Sequence, residues 1–146
     1  MKIDIQELIA RPTAGIRAHT SMATIGDDVG RVTRELIDIV GDRAAGPVVA
    51  RYLSWEGDAG EFEAAVPVSE PLQDERVISG ELPAGRAVVG EHVGPYPGLA
   101  AAWGLTRAWI AEHRLETNAP PWEEYVSDCR DVPPRELVTL IVFPIA

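Results

Sequence analysis

The amino-acid sequence predicts an α+β fold of two successive β-α-β-β units, which form one curved antiparallel sheet with both helices on one face and a ligand groove on the other. Two segments carry apolar residues at helical spacing, and each is flanked by segments typical of strands. The two halves also share a register, since His19 and Tyr52 lie 33 positions apart, as do His92 and Tyr125. These observations indicate an internal duplication.

The first unit, positions 13–68, begins with a strand at 13–20 and continues as a helix. The apolar stripe of this helix consists of Ile25, Val29, Val32, Leu36 and Ile39. Gly41 follows the stripe and is a natural helix C-cap. A strand, a turn and a returning strand complete the unit, at 46–55, 56–60 and 61–68.

The second unit, positions 85–146, repeats this order, with a helix at 99–113. The stripe of this helix consists of Leu99, Trp103, Thr106 and Ile110. The strands and the turn of the unit are expected at 85–93, 94–98, 120–127 and 136–145. The connector 69–84 is polar and interrupted by prolines, and it contains one short predicted strand near 77–79.

Length and charge limit the classes of function. The 146 residues fit one domain, 1–146, without an apolar run that could span a bilayer or serve as a signal peptide, which predicts a cytoplasmic protein. The formal charge of −10 repels phosphate backbones and anionic lipids, so direct nucleic-acid and membrane partners are not expected. The single cysteine and three histidines have no zinc-site spacing, so neither a metal nor a cofactor is predicted.

Glu123 marks the place where the two units differ most in chemistry. In the shared register it corresponds to Ala50, whereas Tyr125 corresponds to Tyr52. Because neighbours in a strand point to opposite faces, Glu123 and Tyr125 share one face and Glu124 lies on the other. If the tyrosines line the helix-free face, Glu123 is a carboxylate beside them without a counterpart in the first unit. The alternative is that both glutamates are solvated on an edge strand.

Aromatic residues accompany this carboxylate in the predicted strands and turns. Such a combination suits a planar or cationic organic molecule, through stacking, cation–π attraction and charge neutralisation. The predicted ligand-binding residues are Glu123, Tyr125, Tyr52, Tyr96, Trp55, Trp103 and His92. For Trp103, a place in the helix core is the alternative. His19 and His92 occupy matched positions, but no other feature supports haem ligation by the pair.

Three segments resemble the GyrI-like small-molecule-binding domains, which are the effector-binding domains of AraC-type and MerR-type multidrug regulators. They are LPAGRAVVGEHVGPYPGL (82–99), PPWEEYVSD (120–128) and ELVTLIVFPI (136–145). The resemblance covers almost the whole chain, as a stand-alone domain. It implies a duplicated β-α-β-β fold with a concave pocket for lipophilic cations and other aromatic drugs.

The resemblance also implies roles for individual residues. The buried acidic residue of the family matches Glu123, and the pocket aromatics of the family match Tyr52, Tyr96 and Tyr125. Two positions at the expected pocket rim depart from the family pattern, with proline at 97 and cysteine at 129.

Three classes of function remain open. The first is a protein that senses or sequesters a hydrophobic, drug-like molecule. The second follows from resemblance to free-standing family members that look like hydrolases of cyclopropane-bearing alkylating natural products. In that case Glu123 would be the general base, and Tyr125 or Tyr96 would donate to the developing oxyanion. The third is an interaction protein that binds another protein through the open sheet face. A homodimer is also possible for any of the three classes.

Overall fold

The computed structural model describes residues 1–146 and contains eight strands, two α-helices and three short 3₁₀ turns. The chain forms two compact units. We call Ala10–Pro83 the N-unit, and Met1–Ile9 together with Ala84–Ala146 the C-unit. Each unit contains four strands and one helix. Neither helix has the length and the apolar character needed to cross a bilayer.

The elements follow the predicted order. In the chain they are β1 (Lys2–Leu8), β2 (Arg11–Ser21), α1 (Ile25–Val40), β3 (Val49–Glu56), β4 (Ala59–Pro67), β5 (Ile78–Leu82), β6 (Gly85–Val93), α2 (Leu99–Glu112), β7 (Trp122–Tyr125) and β8 (Val138–Pro144). The strand order is β3-β4-β2-β5 in the N-unit and β1-β6-β8-β7 in the C-unit, with antiparallel pairing in both. The predicted α+β class is therefore confirmed, and β2-α1-β3-β4 repeats as β6-α2-β7-β8.

Two strands differ from the sequence prediction. β1 lies in a segment for which no strand was predicted, and it pairs with β6 from Lys2 opposite Glu91 to Leu8 opposite Gly85. β5 begins later in the connector and is longer than the strand expected at 77–79, and it pairs with β2. Both strands carry mostly exposed side chains, so they lack the apolar alternation by which half-buried strands are recognised.

Helix α1 begins and ends at residues with clear physical roles. Asp28 in its first turn accepts hydrogen bonds of 2.8 Å from the hydroxyls of Thr20 and Thr24, and these bonds hold the pKa of Asp28 below its ordinary value. The helix ends at Val40, and Gly41 follows as its C-cap, as predicted, with a φ of +57° that favours glycine. The buried face of α1 packs on β2 and β4, and this core includes Val32, Leu36, Val40, Ala14, Phe62, Ala64 and Val66.

The opposite face of β4 carries a buried ion-pair cluster. Glu63 is 2% exposed, and its carboxylate accepts hydrogen bonds from Arg17 Nε at 3.2 Å and Arg51 Nη1 at 3.1 Å. The strand register places both arginines directly opposite Glu63, one on β2 and one on β3. Arg51 is itself largely buried, whereas half of the Arg17 side chain is exposed. The charge of Glu63 is therefore balanced within the N-unit.

We expect the Glu63→Ala variant to lower the free energy of unfolding by about 3 kcal/mol, because it leaves the buried guanidinium of Arg51 without its counter-charge. Urea denaturation measures this change. Arg17→Ala is the matched control and should cost less than about 1 kcal/mol, since Arg17 is half exposed. Equal losses in the two variants would contradict this account of the cluster.

Candidate functional site

Strand β7 places two of its side chains on the side of the sheet that helix α2 covers. Glu123 lies opposite Ile141 of β8, and Tyr125 lies opposite Thr139, so Glu123 and Tyr125 share one face of the strand, as predicted. The intervening Glu124 points to the other face. The shared face is the one that α2 covers, because the indole of Trp103 on α2 reaches the Glu123 carboxylate.

Two short hydrogen bonds hold the Glu123 carboxylate. Trp103 Nε1 donates to Oε2 at 2.6 Å, and the Tyr125 hydroxyl donates to Oε1 at 2.7 Å. Glu123 is only 7% exposed, and a carboxylate this buried needs such donors. The alternative of a fully solvated Glu123 is therefore excluded.

The location of Glu123 corrects one expectation from the sequence. Glu123 and Tyr125 were expected on the helix-free face, beside a groove, but they face α2 instead. The physical reason is that the buried indole N–H of Trp103 requires an acceptor, and Glu123 supplies it. Trp103 is therefore buried in the helix–sheet packing, the alternative considered for it, and also donates to Glu123, while a ligand contact by Trp103 stays a prediction.

Tyr96 lies in the turn that precedes α2 and adds a third ring to those of Trp103 and Tyr125. We call these rings the aromatic cluster. The Tyr96 ring meets the ring of Tyr125 edge to face, with 6.0 Å between centroids and 75° between planes. Burial raises the pKa of the Tyr96 hydroxyl, and the neighbouring Cys129, Asp128 and Glu123 add to this rise. The hydroxyl therefore stays protonated at neutral pH and can donate a hydrogen bond.

His92, near the end of β6, packs against the same turn. Its Nε2 lies 3.1 Å from the carbonyl oxygen of Pro95, and its ring packs against Gly98. On β6, His92 lies opposite Thr139, which places it on the face that carries Tyr125. The hydroxyl of Thr139 is buried without a hydrogen-bond partner, so Thr139 is a polar group of this face that the sequence did not single out.

Phe143 and Arg107 complete the cluster around Trp103. The rings of Trp103 and Phe143 meet edge to face with their centroids 5.2 Å apart. The guanidinium carbon of Arg107 lies 5.1 Å from the Trp103 ring centroid and 5.8 Å from that of Phe143. Neither residue was predicted as part of the site. For Arg107 a signal existed, because it follows Trp103 by four positions on the helix.

Tyr52 and Trp55, which were predicted to bind ligand, belong to the N-unit. Tyr52 packs against the core beneath α1. The Trp55 ring lies on Gly60 of the paired strand so closely that a Cβ at position 60 would come within 2.0 Å of the ring. Trp55 thus has a local packing role in the β3–β4 hairpin, and ligand contacts by both residues stay a prediction.

A surface depression of about 350 Å³ lies elsewhere on the C-unit, at the paired strands β1 and β6. It is lined by Met1, Lys2, Glu91, His92 and Val93. His92 is the one predicted site residue among these, and the depression contains neither Glu123 nor an aromatic residue of the Trp103 cluster. Because this depression lacks the rings of Trp103, Tyr125 and Tyr96, we place the candidate site at Glu123. No three His, Cys, Asp or Glu side chains are arranged to hold a metal ion.

The loop after β7 is organised by Asp128. The Arg130 side chain and the Arg130 backbone N–H both donate to the Asp128 carboxylate, which lowers the pKa of Asp128 to about 2. Cys129 between them is exposed and lies near the Tyr96 hydroxyl. This loop therefore borders the aromatic cluster at Tyr96.

We expect the Asp128 carboxyl to titrate near pH 2, below the ordinary 3.8, in a ¹³C NMR titration. Because the pKa is lowered in the folded protein, the stabilising contribution is complete above pH 3.8 and is lost as the pH falls towards 2. Arg130→Gln removes the largest cause and should move the midpoint back towards 3.8. A wild-type midpoint at 3.8 would contradict the described loop geometry.

The family of GyrI-like small molecule binding domains matches residues 1–146. No functionally curated protein matches the chain.

Several solved structures share the fold. The C-terminal domain of EcmrR superposes with a TM-score of 0.80 at 18% identity, over 99% of this chain and 97% of that domain. This chain spans 57% of EcmrR in a complex with DNA. SAV2435 bound to tetraphenylphosphonium gives 0.80 at 16% identity, over 100% and 94% of the two chains. A hydrolase from Listeria innocua gives 0.64 at 14% identity, over 99% and 92%. At these identities the likeness shows a common fold.

Proposed function

Because the chain belongs to the family of GyrI-like small-molecule-binding domains, we propose that it binds lipophilic or cationic aromatic molecules in the cytoplasm, with Glu123 as the carboxylate of an aromatic pocket. The observation that carries this proposal is the pair of hydrogen bonds from Trp103 and Tyr125 to the buried Glu123. The formal charge of −10 adds a long-range attraction for cations.

The chemistry of the two donors favours a cationic ligand. Trp103 and Tyr125 are uncharged donors, and their hydrogen bonds orient the carboxylate of Glu123. An organic cation near this carboxylate gains Coulomb energy at low local dielectric, whereas an anion of the same shape is repelled. The surrounding rings supply apolar contact and cation–π attraction to either face of a flat ligand.

One structure with the same fold supports this class of ligand. SAV2435 was solved with tetraphenylphosphonium, a lipophilic cation with four aromatic rings, and its chain shares this fold over nearly its full length. A ligand of that size reaches Glu123 only after the surrounding side chains move, because Glu123 and Trp103 are both buried. Tyr96 is partly exposed beside them and marks a route of entry.

We expect tetraphenylphosphonium to bind and the isosteric anion tetraphenylborate to bind at least 10-fold more weakly, as an order-of-magnitude estimate for one buried charge. Isothermal titration calorimetry measures both affinities, and quenching of the fluorescence of the four tryptophans gives a second signal of binding. Glu123→Gln should weaken the cation by about 10-fold and change the neutral triphenylphosphine oxide less than about 3-fold.

Glu124→Gln is the matched control for this experiment. It removes the same charge from the adjacent position, on the opposite face of β7, and should leave the charge preference in place. The absence of saturable binding to the wild-type protein would refute the proposed function. Equal losses in the two variants would refute the role of Glu123.

The second candidate function is hydrolysis, with Glu123 as the general base. Its support is a fixed, buried carboxylate near a protonated Tyr96 hydroxyl, together with the fold shared with a protein described as a hydrolase. The Tyr125 hydroxyl already donates to Glu123, so Tyr96 is better placed to donate to a developing oxyanion. Attack of a water oxygen on a cyclopropane carbon of an alkylating substrate would form a C–O bond and break a ring C–C bond. The water proton would pass to Glu123, and the released electron pair would move to the substrate oxygen to which Tyr96 donates.

A mass-spectrometric time course with a cyclopropane-bearing alkylating compound separates the two functions. A hydrolase yields a water adduct catalytically, and Glu123→Gln abolishes turnover while it leaves binding of the neutral substrate largely intact. If the compound is recovered intact and the protein still binds it, the binding function stands and hydrolysis of this compound is refuted.

A further inference from the structure

Arg107 places a positive charge on the aromatic surface that the proposed function assigns to a ligand. It lies on α2 one turn after Trp103, and its guanidinium carbon is 5.1 Å from the Trp103 centroid and 5.8 Å from that of Phe143. Both rings are nine-tenths or more buried, whereas Arg107 is exposed. The guanidinium therefore covers two otherwise buried rings from the solvent side.

The indole of Trp103 connects this cation to the carboxylate. The guanidinium of Arg107 lies over its ring, and its Nε1–H donates to Glu123 at 2.6 Å. A cation over an aromatic ring is attracted by the negative charge of the ring face, and two cations cannot use the same face at once. A cationic ligand that stacks on Trp103 from this side must displace Arg107, whereas a neutral ring meets no such charge conflict.

We propose that Arg107 is a specificity-determining residue, an intramolecular cation that competes with cationic ligands for the faces of Trp103 and Phe143. This inference rests on the proposed function and adds to it. Glu123 attracts a cation to the site, and Arg107 weakens the binding of every cation that needs the same rings. The two residues together set the preference of the site between cationic and neutral aromatic molecules.

A packing role is the competing explanation, since the long side chain of arginine covers apolar surface through its methylene groups. Arg107→Met keeps an unbranched apolar side chain on the rings and removes the charge. Arg107→Lys keeps the charge on a similar stem, although it loses the flat stacking of a guanidinium. Arg135→Met, at an exposed arginine of the same unit, is the control for the change in net charge.

The experiment measures dissociation constants of tetraphenylphosphonium and triphenylphosphine oxide by calorimetry, for the wild-type protein and the three variants. We expect Arg107→Met to bind tetraphenylphosphonium about 5-fold more tightly and to change triphenylphosphine oxide less than about 2-fold. Arg107→Lys should bind tetraphenylphosphonium with an affinity between those of the wild type and Arg107→Met. Arg135→Met should match the wild type.

Three outcomes overturn the inference. They are unchanged tetraphenylphosphonium affinity in Arg107→Met, a parallel change for both ligands, and an equal gain in Arg135→Met. Near-ultraviolet circular dichroism checks that each variant is folded, and Arg107→Lys provides the test if Arg107→Met is not. If the wild type binds and Arg107→Met keeps the same selectivity between the two ligands, only the role of Arg107 is refuted. If neither the wild type nor Arg107→Met binds either ligand, the proposed function is refuted as well.

Discussion

The C-unit depends on the hydrogen bonds that join Glu123 to Trp103 and Tyr125. A buried carboxylate and a buried indole N–H are each costly alone, and here each satisfies the other. Because one donor comes from α2 and the other from β7, the same contact sets which face of the strand lies under the helix. It also fixes the orientation of the carboxylate, so the packing of the unit and the chemistry of the site have a common origin.

Each unit buries one glutamate, and the two accept hydrogen bonds from different kinds of donor. Glu63 lies between the guanidinium groups of Arg17 and Arg51, so its charge is compensated inside the N-unit and contributes to stability. The bonds to Glu123 from Trp103 and Tyr125 bring no positive charge. Under the proposed function, a duplicated fold has thus placed a structural charge cluster in one unit and a ligand-recognising carboxylate in the other.

Much of this architecture could be predicted from the sequence, because helix stripes and strand alternation are local signals. The bounds of β6 and the ends of both helices agree closely with prediction, and alternation correctly paired Glu123 with Tyr125. Alternation does not indicate which face of a sheet a helix covers, so the face predicted for Glu123 and Tyr125 was wrong. The contact of Phe143 with Trp103 is non-local and left no pattern in the sequence, whereas the spacing of Arg107 from Trp103 on α2 was a usable signal.

The division of the chain between the units has a consequence for synthesis. The N-unit is one continuous segment, whereas the C-unit combines β1 with strands that follow residue 84. Emerging from the ribosome, the N-unit can collapse as soon as β5 is complete, but β1 must wait unpaired until β6 appears. The carboxylate of Glu123 is therefore buried late, after the most sequence-distant strand pairing of the fold has become available.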